Sequence, residues 1–382
     1  MKRKIITILL GIMLVVLVTT GYFYMTKETN SSMSKEKRIN ELVKEVMKKA
    51  KVPGASVTII NKEETQYLNY GFGDKQKKQK TSKDVYYELG SMSKAYTALG
   101  ILLLEDEGKL SLDDSVTKYL PWFHVSYNGL HDKKRINQEV DLTLYQLLHH
   151  TSGIPFKTIG DIPEGNSDTM LYETVSNING IELDYYPGDR FQYATVNYDI
   201  LGLIIEEITG QSYEEYIKQN ILTPLGLTHT YLFKKDVEEA GLLASGYKIT
   251  RFSPMAYKAP IYRGNTPAGY IYSNSVDMER WLRIQMGLIH VDEQYKRIID
   301  KSHIGDITVN STNDYLYGGG WSVNIKGNDI RHGGSNPTYS SMIIMKPENE
   351  VGICVLSNLN TNAADYLAEN IFNIMEGNKV DK

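Results

Sequence analysis

Cysteine is almost absent from this chain of 382 residues, and the single one, Cys354, excludes an intramolecular disulfide. Nor is there a cysteine near the N-terminus to carry a lipid. Cys354 lies in the apolar run Val351-Gly-Ile-Cys-Val-Leu356, where it reads as a small buried hydrophobe in a strand. Metal-binding patterns are missing as well. The eight histidines are scattered, no His-Glu-x-x-His or Cys/His cluster occurs, and His149-His150 are adjacent rather than at ligand spacing. Charge of one sign is also lacking. With 42 Lys+Arg against 46 Asp+Glu the formal net charge is −4, so no basic field points to nucleic acid. Internal repeats and low-complexity blocks are absent.

What remains is an ordinary globular composition, 41% hydrophobic and 23% charged, long enough for one large domain or two smaller ones. Tyrosine is abundant, 28 against 8 Phe, which suits polar clefts and exposed walls. One segment stands apart. Lys2-Arg3-Lys4 precedes a nearly unbroken apolar run from Ile5 to Met25. At 1.5 Å per residue that run spans about 31 Å, enough to cross the hydrocarbon core of a bilayer. The leading cations favour a cytoplasmic N-terminus, and Thr19-Thr20-Gly21 before Tyr22-Phe23-Tyr24 offers no good cleavage site. Residues 1–25 therefore read as a single-pass anchor with the remainder outside the membrane. The alternative, a cleaved signal and a secreted protein, also places the remainder outside the cytoplasm.

Residues 26–34 are polar and read as a linker, and 35–376 as the folded domain. Ile39, Leu42, Val43, Val46 and Met47 recur at helical spacing over Lys35–Ala50, which Val52-Pro53-Gly54 ends. Ala55–Ile60 and Gln66–Gly71 read as strands. Helical spacing returns over Ala95–Glu107, Thr143–His150, Val196–Thr209 and Ser212–Asn220. Gly320–Ile325, Ile330–His332, Ser340–Met345 and Val351–Leu356 read as strands, before a last helix over Ala363–Met375. Strands at both ends around a helical middle predict an α+β fold. Its antiparallel sheet comes from about 35–75 and 315–376 and is flanked by helices, with a helical region over about 90–260 inserted.

The chemistry centres on Glu88-Leu-Gly-Ser91-Met-Ser-Lys94 and the apolar helix that follows. If Ser91 opens that helix, Lys94 stands one turn on, on the same face. An amine held there can take the serine's proton once burial lowers its pKa. The helix N-terminus adds free N–H groups where an oxyanion would develop. The tetrapeptide alone is weak evidence, because Ser32-Met-Ser-Lys35 repeats it inside the linker. There Ser34 is expected to cap the next helix, and a linker cannot hold a catalytic pair in place.

Gly90-Ser91-Met-Ser-Lys94 resembles the active-serine motif of class C β-lactamases and the related DD-peptidases and esterases. The resemblance runs from about Val52 to Asn360. It includes Leu142-Thr-Leu-Tyr-Gln-Leu-Leu-His-His-Thr-Ser-Gly153, Pro224-Leu-Gly-Leu-Thr228, and Pro267-Ala-Gly269 followed by Ser273 and Asp277. It implies that Tyr193, in Tyr193-Ala-Thr195-Val-Asn197, exchanges protons with the serine and the leaving group. A neighbouring ammonium is expected to lower its phenol pKa. Thr195 stands where the family carries asparagine. It keeps one hydroxyl but loses the amide's reach, which weakens contact with a substrate acylamide. Arg331-His332-Gly333-Gly334-Ser335 matches the family's Lys-Thr-Gly strand. His332, Gly333 and Gly334 would border the substrate, and the Ser335 N–H would join that of Ser91 in an oxyanion hole. An imidazole, mostly neutral near pH 7, holds a substrate carboxylate less firmly than lysine does. Tyr270, Tyr272 and Tyr317 read as wall or packing residues.

These features predict a serine hydrolase working through an acyl-enzyme, without metal or organic cofactor. The expected substrate is a D-amino-acid-containing peptide, such as a peptidoglycan stem or a secreted peptide. A carboxylesterase, a β-lactamase and a non-hydrolytic penicillin- or wall-binding module are the alternatives.

Overall fold

A computed structural model describes residues 33–309 and 314–378. The apolar run of residues 5–25 and most of the linker lie outside the described residues. Among the described residues no helix is long and apolar enough to cross a membrane.

Five helices frame the sheet and the site: α1 (Lys35–Ala50), α2 (Lys94–Asp106), α3 (Val196–Thr209), α4 (Ser275–Gln285) and α5 (Ala363–Glu376). The main sheet comprises β1 (Gly54–Asn61), β2 (Glu64–Asp74), β3 (Gln79–Lys80), β4 (Ile307–Thr308), β5 (Tyr315–Tyr317), β6 (Ser322–Asn324), β7 (Asp329–Asn336), β8 (Tyr339–Lys346) and β9 (Val351–Ser357). They lie in the order β4-β5-β6-β7-β8-β9-β1-β2-β3, all antiparallel. The central join, β9 against β1 with Val57 opposite Val355, brings the two ends of the chain together, in agreement with the α+β expectation.

Side-chain alternation in the central strands explains why they are buried on both faces. Val57, Ile59, Ile344, Ile353 and Val355 pack under α1 and α5, while Ile60, Ile343, Met345, Cys354 and Leu356 face the helical region. Cys354 is a buried strand residue, as its surroundings in the sequence imply. Helix α1 turns Ile39, Val43 and Met47 inward. Ser34 caps it by accepting from the Lys37 N–H, and Lys51 ends it in the left-handed conformation. Helix α2 is buried at eleven positions from Lys94 to Leu104, so it runs through the core rather than over it. Each of its leucines, such as Leu99 and Leu103, contributes about 1.5–3 kcal/mol of transfer free energy.

The middle of the chain is less helical than its spacing predicts. Two hairpins interrupt it, Val125–His131 with Lys134–Val140 and Tyr247–Thr250 with Ser253–Ala256. Val125, Tyr127 and Tyr247 turn into the core, but the partner strands are mostly exposed, so the apolar alternation is too short to mark either hairpin.

Candidate active site

Ser91 lies in a tight 3-10 turn, Gly90–Ser93, that leads directly into α2. The turn sits against β7. Gly90 has φ +56°, and a Cβ there would fall 2.5 Å from the Ser335 nitrogen, so only glycine permits this approach. From the other side, a Cβ on Gly334 would collide with the Leu89 carbonyl. The Ser341 hydroxyl also donates to that carbonyl at 2.6 Å, and the Ser93 hydroxyl accepts from the Ile271 N–H at 3.1 Å. The nucleophile turn is thus fixed from three directions. Ser335 therefore lies against Gly90, the residue before Ser91, and its hydroxyl donates to Asn360 at 3.0 Å.

Lys94 is fully buried. Its Nζ donates to Ser91 Oγ at 3.1 Å and to the Ala268 carbonyl at 2.8 Å, and stands 5.0 Å from the centre of the Tyr193 ring. Burial disfavours the ammonium and pulls its pKa down to about 7; the Asp199 carboxyl opposes this shift. Burial thus makes the free amine far more available at neutral pH than in an exposed lysine. Asp199 lies on α3, itself fully buried, and is pushed up to about 8 by burial. Its Oδ2 accepts from Asn265 Nδ2 at 2.7 Å, and its Oδ1 has no partner.

Tyr193 is brought to the same point, but its phenol behaves differently from expectation. Burial pushes its pKa up, and the small downward pull comes from the Ser91 hydroxyl rather than from a lysine ammonium. Its hydroxyl is buried, outside hydrogen-bond geometry to Ser91 and otherwise unpartnered. The group is held in its protonated form. It is therefore suited to giving a proton rather than to starting as a phenolate.

Thr195 is buried at the start of α3 and its side chain caps no helical N–H. Asn197 turns away from the cleft. Its Oδ1 accepts from Ser152 and its Nδ2 donates to His150 Nδ1 at 3.1 Å, so it fastens the His-Thr-Ser-Gly segment to α3. His150 Nδ1 also accepts from the Ala194 N–H. Two donors on one nitrogen place the ring proton on Nε2, which is buried without a partner beside Tyr193 and Tyr317.

His332 borders the site from β7, with pKa lowered to about 4 by burial and by Lys94. Its Nδ1 faces the Gly333 carbonyl at 2.7 Å, so that nitrogen carries the proton, and its Nε2 accepts from Tyr317 at 3.1 Å. Both nitrogens are engaged and the ring is neutral. Arg331, next to it, is committed to Asp329 and Glu369, each at 2.6 Å.

A buried network behind the site centres on Asn336, which the sequence does not single out. Asn336 donates to Glu88 at 2.8 Å and to the Gly269 carbonyl at 2.9 Å, joining β7, the serine turn and the segment that holds Lys94. Burial raises Glu88 to about 7. Asp277 accepts from the His229 N–H and the Thr230 hydroxyl, tying α4 to the segment after Thr228, while the Pro267 stretch positions Lys94 through the Ala268 carbonyl. Among the described residues no cluster of His, Cys, Asp and Glu is arranged to hold a metal ion.

A serine at a helix mouth, a buried lysine against it and a protonated tyrosine above them can support acyl transfer. Known proteins show the same arrangement of sequence. The β-lactamase family description matches residues 39–375. Protein flp of Staphylococcus aureus is 35% identical over 349 residues, 91% of this chain and 67% of that protein. Penicillin-binding protein 4* of Bacillus subtilis is 26% identical, over 85% of this chain and 72% of its own. Among solved structures, the octameric penicillin-binding protein homologue of Pyrococcus abyssi superposes with a TM-score of 0.75 at 28% identity, covering 90% of this chain and 78% of that one. With the motif residues gathered around Ser91 and the match spanning nearly the whole domain, the chain belongs to the β-lactamase family of serine hydrolases.

Proposed function

We propose that this protein acts outside the cytoplasm, tethered by its N-terminal apolar run, and cleaves D-amino-acid-containing peptides through an acyl-enzyme on Ser91. One observation carries the chemistry: the fully buried Lys94 amine lies 3.1 Å from Ser91 Oγ. Lys94 takes the Ser91 proton as Oγ attacks the substrate carbonyl. The Ser91 and Ser335 N–H groups then face the oxyanion. Tyr193, held protonated, gives its proton to the leaving group and is reprotonated from the Lys94 ammonium. Water repeats the sequence to release the acyl group. Supporting the peptide reading, two relatives are named as penicillin-binding proteins or their homologues.

The neutral, fully engaged His332 favours a second reading, carboxylester hydrolysis, because the cleft lacks a cation there for a substrate carboxylate. The test is a turnover panel on the purified protein: a chromogenic cephalosporin, a p-nitrophenyl ester, a D-Ala-D-Ala peptide and a D-aminoacyl anilide. Turnover of a D-peptide substrate above the others supports the proposal, and dominance of the ester selects the second reading. Fast cephalosporin turnover overturns the weight placed on Thr195 and His332. Absence of labelling by both a fluorophosphonate and a fluorescent penicillin points to a binding module.

A further inference from the structure

The hairpin formed by Tyr247–Thr250 and Ser253–Ala256 exposes apolar residues around its tip. Phe252 is 85% exposed, and Ile249, Met255 and Tyr257 are exposed beside it. Such residues on an exposed turn gain nothing from water. The tip is also held in place: the Lys51 ammonium, at the end of α1, donates to the Phe252 carbonyl at 2.6 Å. Arg251 takes the left-handed conformation, with φ 57°, to make the turn. The backbone is pinned and the Phe252 ring is left outside.

The charge of the hairpin itself is of one sign. Residues 247–258 contain Lys248, Arg251 and Lys258 and no acid, in a chain whose net charge is −4. Helix α1 and its C-cap add Lys35, Lys37, Arg38, Lys44, Lys48, Lys49 and Lys51 against the exposed Glu36, Glu41 and Glu45, the last paired with Lys49 at 2.6 Å, so cations remain in excess there. Lys248 lies with its Nζ over the Tyr257 ring, 3.8 Å from its centre, an aromatic face covered by a cation. An apolar tip ringed by cations matches an anionic lipid surface, with rings at headgroup depth and cations among the phosphates. It does not match a second copy of itself, because symmetric apposition would set the same cations against one another.

The location is compatible with the tether. The nine linker residues 26–34 can span about 30 Å when extended. Helix α1 is 16 residues, about 24 Å long. An anchor entering at one end of α1 and the hairpin fixed at its other end can therefore meet one membrane plane.

We propose that the 247–256 hairpin is a second membrane contact, dipping Phe252 into the interface of an anionic bilayer and laying α1 along it. This rests on the tethered reading of the N-terminal run, and one experiment separates the two. Cys354 is buried, so Phe252→Cys in the full chain gives a unique site for a spin label. The labelled protein is reconstituted into vesicles containing phosphatidylglycerol, with Leu130→Cys, on another exposed hairpin, as the comparison. The expected result is a several-fold loss of accessibility to an aqueous nickel chelate, with a gain in oxygen accessibility, at position 252 and not at 130. It should diminish when Lys248 and Arg251 are both changed to Glu. If the chain floats with vesicles but position 252 stays as water-accessible as 130, the hairpin contact is wrong and the tether stands. Spin–spin broadening at 252 would mean a second copy covers the tip, which also overturns the proposal. Failure to float at all sinks both readings.

Discussion

Lys94 and Lys35 each end the same tetrapeptide, Ser-Met-Ser-Lys, in one chain. Lys35 opens an exposed amphipathic helix and reaches the Met375 carbonyl at 2.7 Å at the surface. Lys94 begins a helix buried on every side, and its amine is directed by Ser91 and the Ala268 carbonyl. The local pattern is the same; the two lysines differ in their removal from water. A base is made here by its surroundings, not by its motif.

The sharpest way to break this comparison is to delete each amine. Lys94→Ala should slow acylation of Ser91 on the order of 10²–10⁴-fold, the usual contribution of a positioned base. Lys35→Ala should leave the rate unchanged. Time courses of labelling by a fluorescent penicillin or a fluorophosphonate measure both, and comparable losses would mean that context does not separate the two sites.

Burial should act with opposite sign on an acid, and Glu88 offers that test. Its folded pKa is raised from 4.5 to about 7, so the folded state holds its proton more tightly than the unfolded chain. Stability from this group is intact below the unfolded pKa and is lost as pH rises from about 4.5 through about 7. The loss is on the order of 3 kcal/mol. Glu88→Gln can still accept from Asn336 and should abolish that decline. Denaturant unfolding at pH 5 and pH 8 should therefore show the wild type losing about 3 kcal/mol more than the variant over that interval. Lys94, whose lowered pKa makes stability rise with pH between about 7 and 10.5, and Asp199, raised to about 8, act alike in both chains and cancel in that difference.

Asp199 sharpens the picture further. Its carboxylate raises the Lys94 pKa, so Asp199→Asn should move the acid limb of the acylation rate to lower pH. The shift should stay below about one unit, because Asp199, itself pushed up to about 8, is only partly charged at neutral pH. An upward shift would contradict the geometry.

The features legible in the sequence are those with local periodicity or a fixed spacing. Helix α1, helix α2 and the strands on either side of the β9–β1 join follow from their apolar patterns, and Ser91, Lys94, Tyr193 and His332 from their motifs. The groups that tune them are long-range. Asp199 meets Asn265, and Asn336 meets Glu88, across gaps in sequence that no spacing rule spans. One signal is present: a lone acid inside the apolar helix Val196-Asn-Tyr-Asp-Ile-Leu-Gly-Leu has to find a partner. For Tyr193 the expected direction of the pKa shift is wrong, because that expectation gives the neighbouring lysine a full charge. Once Lys94 leans toward the free amine, desolvation is the larger effect on the phenol.

The smallest expected effect belongs to the other tetrapeptide. Ser34 accepts from the Lys37 N–H and so caps α1, whose Ile39, Val43 and Met47 cover the outer face of the sheet. Ser34→Ala should cost about 1 kcal/mol of stability, the ordinary loss for a missing N-cap, with Ser91 labelling unchanged. A thermal melt and a labelling time course on the same preparation check both halves. Because α1 packs on the face of the sheet opposite the helical region, a loss of labelling without a loss of stability would require the two faces to communicate. In that case the helix would be part of the enzyme's control rather than only its cover.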